Sequence, residues 1–240
     1  MLTPDFEITS DQASALKITE NWVRDLFEKQ GPAVLHRMGG HGFDKSIRTA
    51  SWAALIAAGE DYPPFLPVLT ALLIDVGRTS EDPRAKNYGH GQLSREMSAD
   101  FLQQSLTILT VDERILVGDA IEDHPKLNAD VRPTWLVKIV MDADRLDCLG
   151  PLGPLRAASG LWEKPLVLPD QLDNETTWKG VTTMYDGMRF QLAWFDMLWT
   201  ETTRQIARPR VLVYKEFIEA VRSEAQLTYA TYQRLFENLQ

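Results

Sequence analysis

The stretch Leu69-Thr70-Ala71-Leu72-Leu73-Ile74-Asp75-Val76-Gly77-Arg78 sets a carboxylate directly behind a run of apolar or small residues. If that run is a buried helix, Asp75 is buried with it. A buried carboxylate needs a metal, a cation or several donors to offset its lost hydration. A second stretch repeats the problem: between Leu136 and Leu149 an apolar helix carries Asp142, Asp144 and Asp147, with Arg145 among them. Helical spacing puts Asp144 and Asp147 on one face and turns Asp142 elsewhere. On spacing alone these carboxylates also fit a solvated stripe, but their apolar surroundings weigh against it.

Working outward from these stretches, helical periodicity dominates the chain. Ser10 or Asp11 can cap a first helix in which Ala15, Ile18, Trp22, Val23 and Phe27 recur at three- and four-residue spacing, ending before Gly31-Pro32. After Gly39, Gly40 and Gly42, Asp44 is placed to cap a second helix that runs to about Ala58. Pro63 and Pro64 open a third, from about Phe65 to Val76, which Gly77 stops. Further helices are expected at about 91–107, 111–123, 134–149 and 152–160, then two long ones at about 180–206 and 210–238 beyond a Pro- and Asp-containing loop. Only Val211 to Tyr214 has an ambiguous, strand-like character. The expected fold is all-α, a single domain over residues 1–240 with a core at about 10–160 and a helical extension at about 180–240 packed on it.

Composition narrows the function. With 240 residues, 44% hydrophobic and 25% charged, the chain can bury a sizeable core. Its 25 Lys and Arg against 34 Asp and Glu leave a net charge of −9, which disfavours an extended nucleic-acid surface while allowing a local basic pocket. A lone cysteine, Cys148, permits no internal disulfide and suits a reducing compartment. The acidic start lacks the sections of a secretory signal and no apolar run is long enough to span a membrane, so a cytoplasmic protein is expected. Phosphate-binding glycine loops ending in Gly-Lys-Ser/Thr, Gly-x-Ser-x-Gly elbows and Cys-x-x-Cys pairs are missing. Imidazole chemistry is confined to His36, His41, His90 and His124.

The order of segments resembles the HD-domain superfamily of metal-dependent phosphohydrolases. His41-Gly-Phe-Asp44-Lys45-Ser-Ile-Arg48 looks like its first helix motif and Ala71-Leu-Leu-Ile74-Asp75-Val-Gly77-Arg78 like its His-Asp helix. His90-Gly91-Gln-Leu-Ser94 looks like the following turn, Ile121-Glu-Asp-His124 like the later His, and Asp142-Ala-Asp144-Arg145-Leu-Asp147-Cys-Leu-Gly150 like the final Asp motif. The resemblance implies an HD-like helical bundle with additional long C-terminal helices.

The departures shape the functional expectation. Lys45 stands where the family has its first metal-binding His, and Ile74 stands where it has the His of the His-Asp pair. A protonated ammonium and an alkyl side chain cannot ligate, so only Asp75 and Asp144 survive from the usual set. In one reading Lys45 puts its ammonium where the metal would be and neutralises Asp75 and Asp144, leaving a pseudoenzyme with a retained small-molecule or nucleotide pocket and no cofactor. In another, His90, His124 and Asp75, with His41 as a further nitrogen, hold one divalent ion, Mn, Fe, Zn or Ni, in an active phosphohydrolase. Taken singly, His90 and His124 also fit helix-end roles. A third reading is a recognition module lined by Trp178, Trp194, Phe195 and Trp199, although aromatic residues at helical spacing are more often core. Arg48, Arg78 and Arg145 are the candidates for binding the phosphate of a small phosphorylated ligand, against ion pairing with Asp44, Asp75 or Asp147. Oligomeric state and protein partners are not legible.

Overall fold

The structure is a computed structural model that describes residues 6–30, 40–86, 89–131, 133–168, 172–173 and 180–237. The described residues form helices and turns with no strand. The α-helices are α1 (Ser10–Glu28), α2 (Phe43–Gly59), α3 (Phe65–Leu73), α4 (Gly89–Ser105), α5 (Val111–Asp123), α6 (Trp135–Cys148), α7 (Gly153–Gly160), α8 (Met184–Leu192) and α9 (Glu201–Glu237). No described helix is long and apolar enough to cross a membrane. His36 and Trp178 lie outside the described residues.

Up to residue 160 the expected helices form, most with shifted ends. Thr9, rather than Ser10 or Asp11, caps α1 through reciprocal bonds with Gln12, and the helix buries Ala15, Thr19, Val23 and Phe27 on one face. Gly42 rather than Asp44 precedes α2 and makes no side-chain cap; Asp44 sits in the first turn, where a carboxylate suits the helix dipole, and pairs with Arg48 at 2.5 Å. Helix α3 is buried along almost its whole length and lies at the centre, in contact with α1, α2, α5 and α6. Full burial of Leu69, Leu73 and Ile74 contributes about 1.5–3 kcal/mol each.

Helix α3 stops at Leu73 rather than Val76, and a 3₁₀ turn, Val76–Thr79, follows. The cause is a side chain from α4: the Ser94 hydroxyl donates to the Ile74 carbonyl at 2.6 Å and accepts from Gly77 N–H at 2.8 Å, so it takes over helical backbone bonds. Gly77 permits this approach, because a Cβ there would lie 2.6 Å from His90 O and Ser94 N. Gly91 does the same one layer on, since its Cβ would lie 2.6 Å from Glu122 O at the end of α5.

In the last third the expected break near residues 207–209 is displaced. A 3₁₀ turn, Ala193–Met197, ends at an extended Leu198, and one continuous helix, α9, then includes Pro209 and the Val211–Tyr214 run. The new helix starts where it does because Asp142, buried on α6, accepts from Trp199 N–H, Thr200 N–H and the Thr200 hydroxyl at 2.8–2.9 Å. Pro209 is tolerated because it and Gln205, whose carbonyl loses its helical donor, are exposed to water. Ala207 and Val211 of α9 join the main core, while Tyr214, Ile218 and Ala225 build a smaller one with Ala157, Leu172, Tyr185 and Met188. Trp194, Phe195 and Trp199 pack against the main core.

Candidate metal and charge centre

The site is assembled where α2, the end of α3, α4, α5 and α6 meet. Lys45, in the first turn of α2, points inward and is 1% exposed. Its Nζ lies 2.5 Å from Asp75 Oδ2 and 2.5 Å from Asp144 Oδ1. Burial pulls the ammonium pKa down, but Asp144 and then Asp75 more than offset this and hold it above the usual lysine value. Burial likewise raises Asp75, but Lys45 and Arg78 outweigh it and keep the carboxyl well below the usual carboxylate range. Asp144, 24% exposed, is lowered by Lys45 against its own burial. The centre therefore holds an ammonium between two carboxylates, all charged at neutral pH.

The other oxygen of Asp75 has different neighbours. Arg78 Nε donates to Asp75 Oδ1 at 2.8 Å, and Arg78 NH2 lies 3.2 Å from His90 Nε2. His90 Nε2 is 3.4 Å from Asp75 Oδ1 and 2.9 Å from His124 Nε2, and His124 Nε2 is 3.9 Å from the same oxygen. Asp75, His90 and His124 are all buried, and one ligand atom of each falls within 4.8 Å of the others. His124 Nδ1 lies 2.6 Å from Ile121 O, which assigns the proton to Nδ1 and leaves the Nε2 lone pair facing His90. Burial lowers the His124 pKa, so this imidazole is neutral at neutral pH. His90 opens α4 and His124 caps the end of α5, so the helix-end positions and the cluster are the same positions. The Gly91 contact and the Arg95–Glu122 bond at 2.7 Å hold these two helix ends together.

The remaining expected site residues are spread around this centre. Arg48 binds Asp147 with Nε and NH2 at 2.8 and 3.2 Å and Asp44 with NH1. Arg145 turns to the opposite side of α6 and donates to the Met197 carbonyl at 2.7 Å, beside the Asp142 contacts with the start of α9. His41, just before α2, lies outside the clustered Asp75, His90 and His124; burial and then Arg78 push its pKa down to about 3. On α6, Asp144 and Asp147 face the site, as their helical spacing requires, whereas Asp142 faces the last helix. The three carboxylates do not form a solvated stripe, because Asp142 and Asp147 are at most 1% exposed.

Arg156 is the residue that sequence reasoning missed. From α7 its NH1 donates to Asp147 at 3.0 Å and contacts Cys148 Sγ at 2.8 Å, so Asp147 sits between Arg156 and Arg48. Its only sequence signal was a charge inside an otherwise apolar helix face behind Gly153-Pro154. Burial pushes the Cys148 thiol up to about 12, so it is a packed thiol and not a nucleophile.

Solved structures cover nearly the whole chain. A Lactobacillus plantarum protein is 20% identical over 91% of this chain and 98% of its own, with a TM-score of 0.66. An HD-superfamily hydrolase from Bacillus thuringiensis is 22% identical over 89% of this chain and 97% of its own, with a TM-score of 0.64. The chain has the HD-superfamily fold. Bacillus subtilis YpgQ, crystallised in complex with ADP, is likewise 22% identical over 89% of this chain and 96% of its own, with a TM-score of 0.64. At these identities the likeness is one of fold. No protein-family model matches the chain, and neither does any curated protein sequence. Within the HD fold, Lys45 and Ile74 fit no metal, whereas two imidazoles and a carboxylate at Asp75, His90 and His124 form a donor set able to hold one.

Proposed function

We propose that this chain is a divergent HD-fold protein whose usual cation position is filled by the Lys45 ammonium, and that it binds a nucleotide or another small phosphorylated molecule without hydrolysing it at that position. The supporting observation is the buried Lys45 Nζ at 2.5 Å from both Asp75 and Asp144. An ammonium held by two carboxylates neutralises them as a cation would, but it offers no vacant coordination position to polarise a phosphoryl oxygen. The ADP complex of YpgQ supports a nucleotide as the ligand class. Arg48 and Arg78, 28% and 19% exposed, are the cations at this centre that a phosphate can reach from solvent. The test is metal analysis of protein purified without chelator, together with ADP titration by calorimetry and a phosphate-release assay with excess Mn²⁺. ADP binding without turnover is expected. Stoichiometric metal that disappears on His90→Ala or His124→Ala, accompanied by turnover, overturns the reading.

A second reading has its own observation, the convergence of Asp75, His90 and His124 within 4.8 Å. These residues would hold one divalent ion, which when bound would polarise a phosphoryl oxygen. The chain's own contribution is to fix the His124 tautomer through Ile121 and to orient phosphate with Arg78 or Arg48.

A further inference from the structure

The Asp75–His90–His124 cluster shares its ligand atoms with a cation that the protein already carries. Arg78 Nε donates to Asp75 Oδ1 at 2.8 Å, and Arg78 NH2 stands 3.2 Å from His90 Nε2. Those two atoms, with His124 Nε2, are the ones facing each other across the cluster. An incoming metal and the Arg78 guanidinium therefore compete for Asp75 Oδ1 and for the space beside His90 Nε2.

Charge makes the competition sharper. Lys45 and Arg78 already balance Asp75 and Asp144, so a divalent ion added to the intact arrangement would leave two uncompensated positive charges among buried groups. Lys45 cannot leave, being 1% exposed and held by both carboxylates. Arg78 can leave: its side chain is 19% exposed and starts in the short 3₁₀ turn after α3. An anion at the surface of the site would relieve both problems together, because it draws the guanidinium outward and compensates the charge of the arriving ion. A phosphate oxygen pair matches the guanidinium fork.

We infer that Arg78 is a displaceable plug: its guanidinium closes the Asp75–His90–His124 site, and a phosphate group that draws it outward opens that site to a divalent cation. Phosphate and metal then bind with positive coupling, and the coupling is reciprocal. This rests on reading Asp75, His90 and His124 as a cation site, and the experiment separates the two ideas.

Mn²⁺ binding is measured by titration calorimetry on the full chain, with and without inorganic phosphate, for the native protein, Arg78→Gln and Arg78→Gln/His124→Ala. The double variant serves as the control for phosphate–Mn²⁺ association in solution, and circular dichroism checks that each variant is folded. Native protein alone should bind Mn²⁺ weakly. Phosphate should tighten that binding by a factor within the usual coupling range of about 5–150-fold. Arg78→Gln should bind one equivalent tightly without phosphate and show no further tightening with it. If native protein binds as tightly as Arg78→Gln and phosphate changes neither, the plug is overturned while the cation site stands. If folded Arg78→Gln binds no more Mn²⁺ than the double variant, the cation site itself is overturned, and the plug with it.

Discussion

The two oxygens of Asp75 face two kinds of cation. On the Oδ2 side, Lys45 and Asp75 are each 1% exposed and Nζ is shared with Asp144 at 2.5 Å, so neither partner can turn to water. On the Oδ1 side, Arg78 is 19% exposed and makes its bond from a short turn beside His90 and His124. The same carboxylate thus has one cation fixed by packing and another that can exchange with solvent. Sign of charge alone does not separate a structural cation from a removable one; access to water does, because a cation that leaves must be rehydrated.

The largest test of this contrast is Lys45→Ala. It strands Asp75 and Asp144 without their shared cation and should cost about 3–5 kcal/mol, read as a fall in the urea midpoint with an unchanged slope. A cost below that of Arg78→Gln would reverse the assignment of fixed and exchangeable sides. Next, Lys45→His combined with Ile74→His should convert the fixed side into a ligand set and add one equivalent of Mn²⁺ over the native chain. At a hundredfold excess over the dissociation constant that binding stabilises the fold by about 2.7 kcal/mol, visible as a metal-dependent rise in Tm. A folded double variant with no added equivalent would place the motif alignment out of register.

Arg78→Gln should cost only about 1–2 kcal/mol, since Lys45 still neutralises Asp75. The smallest effect is in the pH profile. Asp75 and Asp144 have folded pKa values below the ordinary range, so their contribution is complete above the unfolded value near pH ~4 and fades as pH falls through that value toward the folded ones. The raised Lys45 pKa contributes stability that is complete below about pH 10.4 and fades as pH rises through the folded value. Asp142, raised by burial, works against the acid limb. Buried His41 and His124, neutral when folded, add a loss of stability as pH falls below the ordinary imidazole value of about 6.5. Stability should therefore be flat only between about pH 7 and pH 10, and Lys45→Ala should make the limb below about pH 4 shallower by on the order of 1 kcal/mol. An unchanged acid limb in denaturation followed from pH 6 to pH 3 would show that Lys45 does not hold these carboxylates ionised.

Much of this centre was legible because its signals are local. A carboxylate behind an apolar run and two carboxylates at one-turn spacing read as a buried charged face, and the HD-like order of segments named Lys45, Asp75, His90, His124 and Asp144 together. Arg145 and Arg156 show where that reading ended. Arg145 lies within the motif but serves the Met197 carbonyl, and Arg156 lies beyond it but joins the Asp147 cluster. Nothing in the spacing of either residue encodes which neighbour packs against its side of the helix.

By itself the sequence determined the helices with their buried faces, and the demand that Asp75 and Asp144 find a cation, because periodicity and desolvation act within a few residues of chain. Only the tertiary structure decided which partners met that demand. Lys45 lies 30 residues from Asp75, Ser94 ends α3 from 20 residues away, and Asp142 caps α9 from 58 residues before it. In each case a hydrogen-bonding group left unsatisfied by its own segment was paired by another helix that packing brought within about 3 Å.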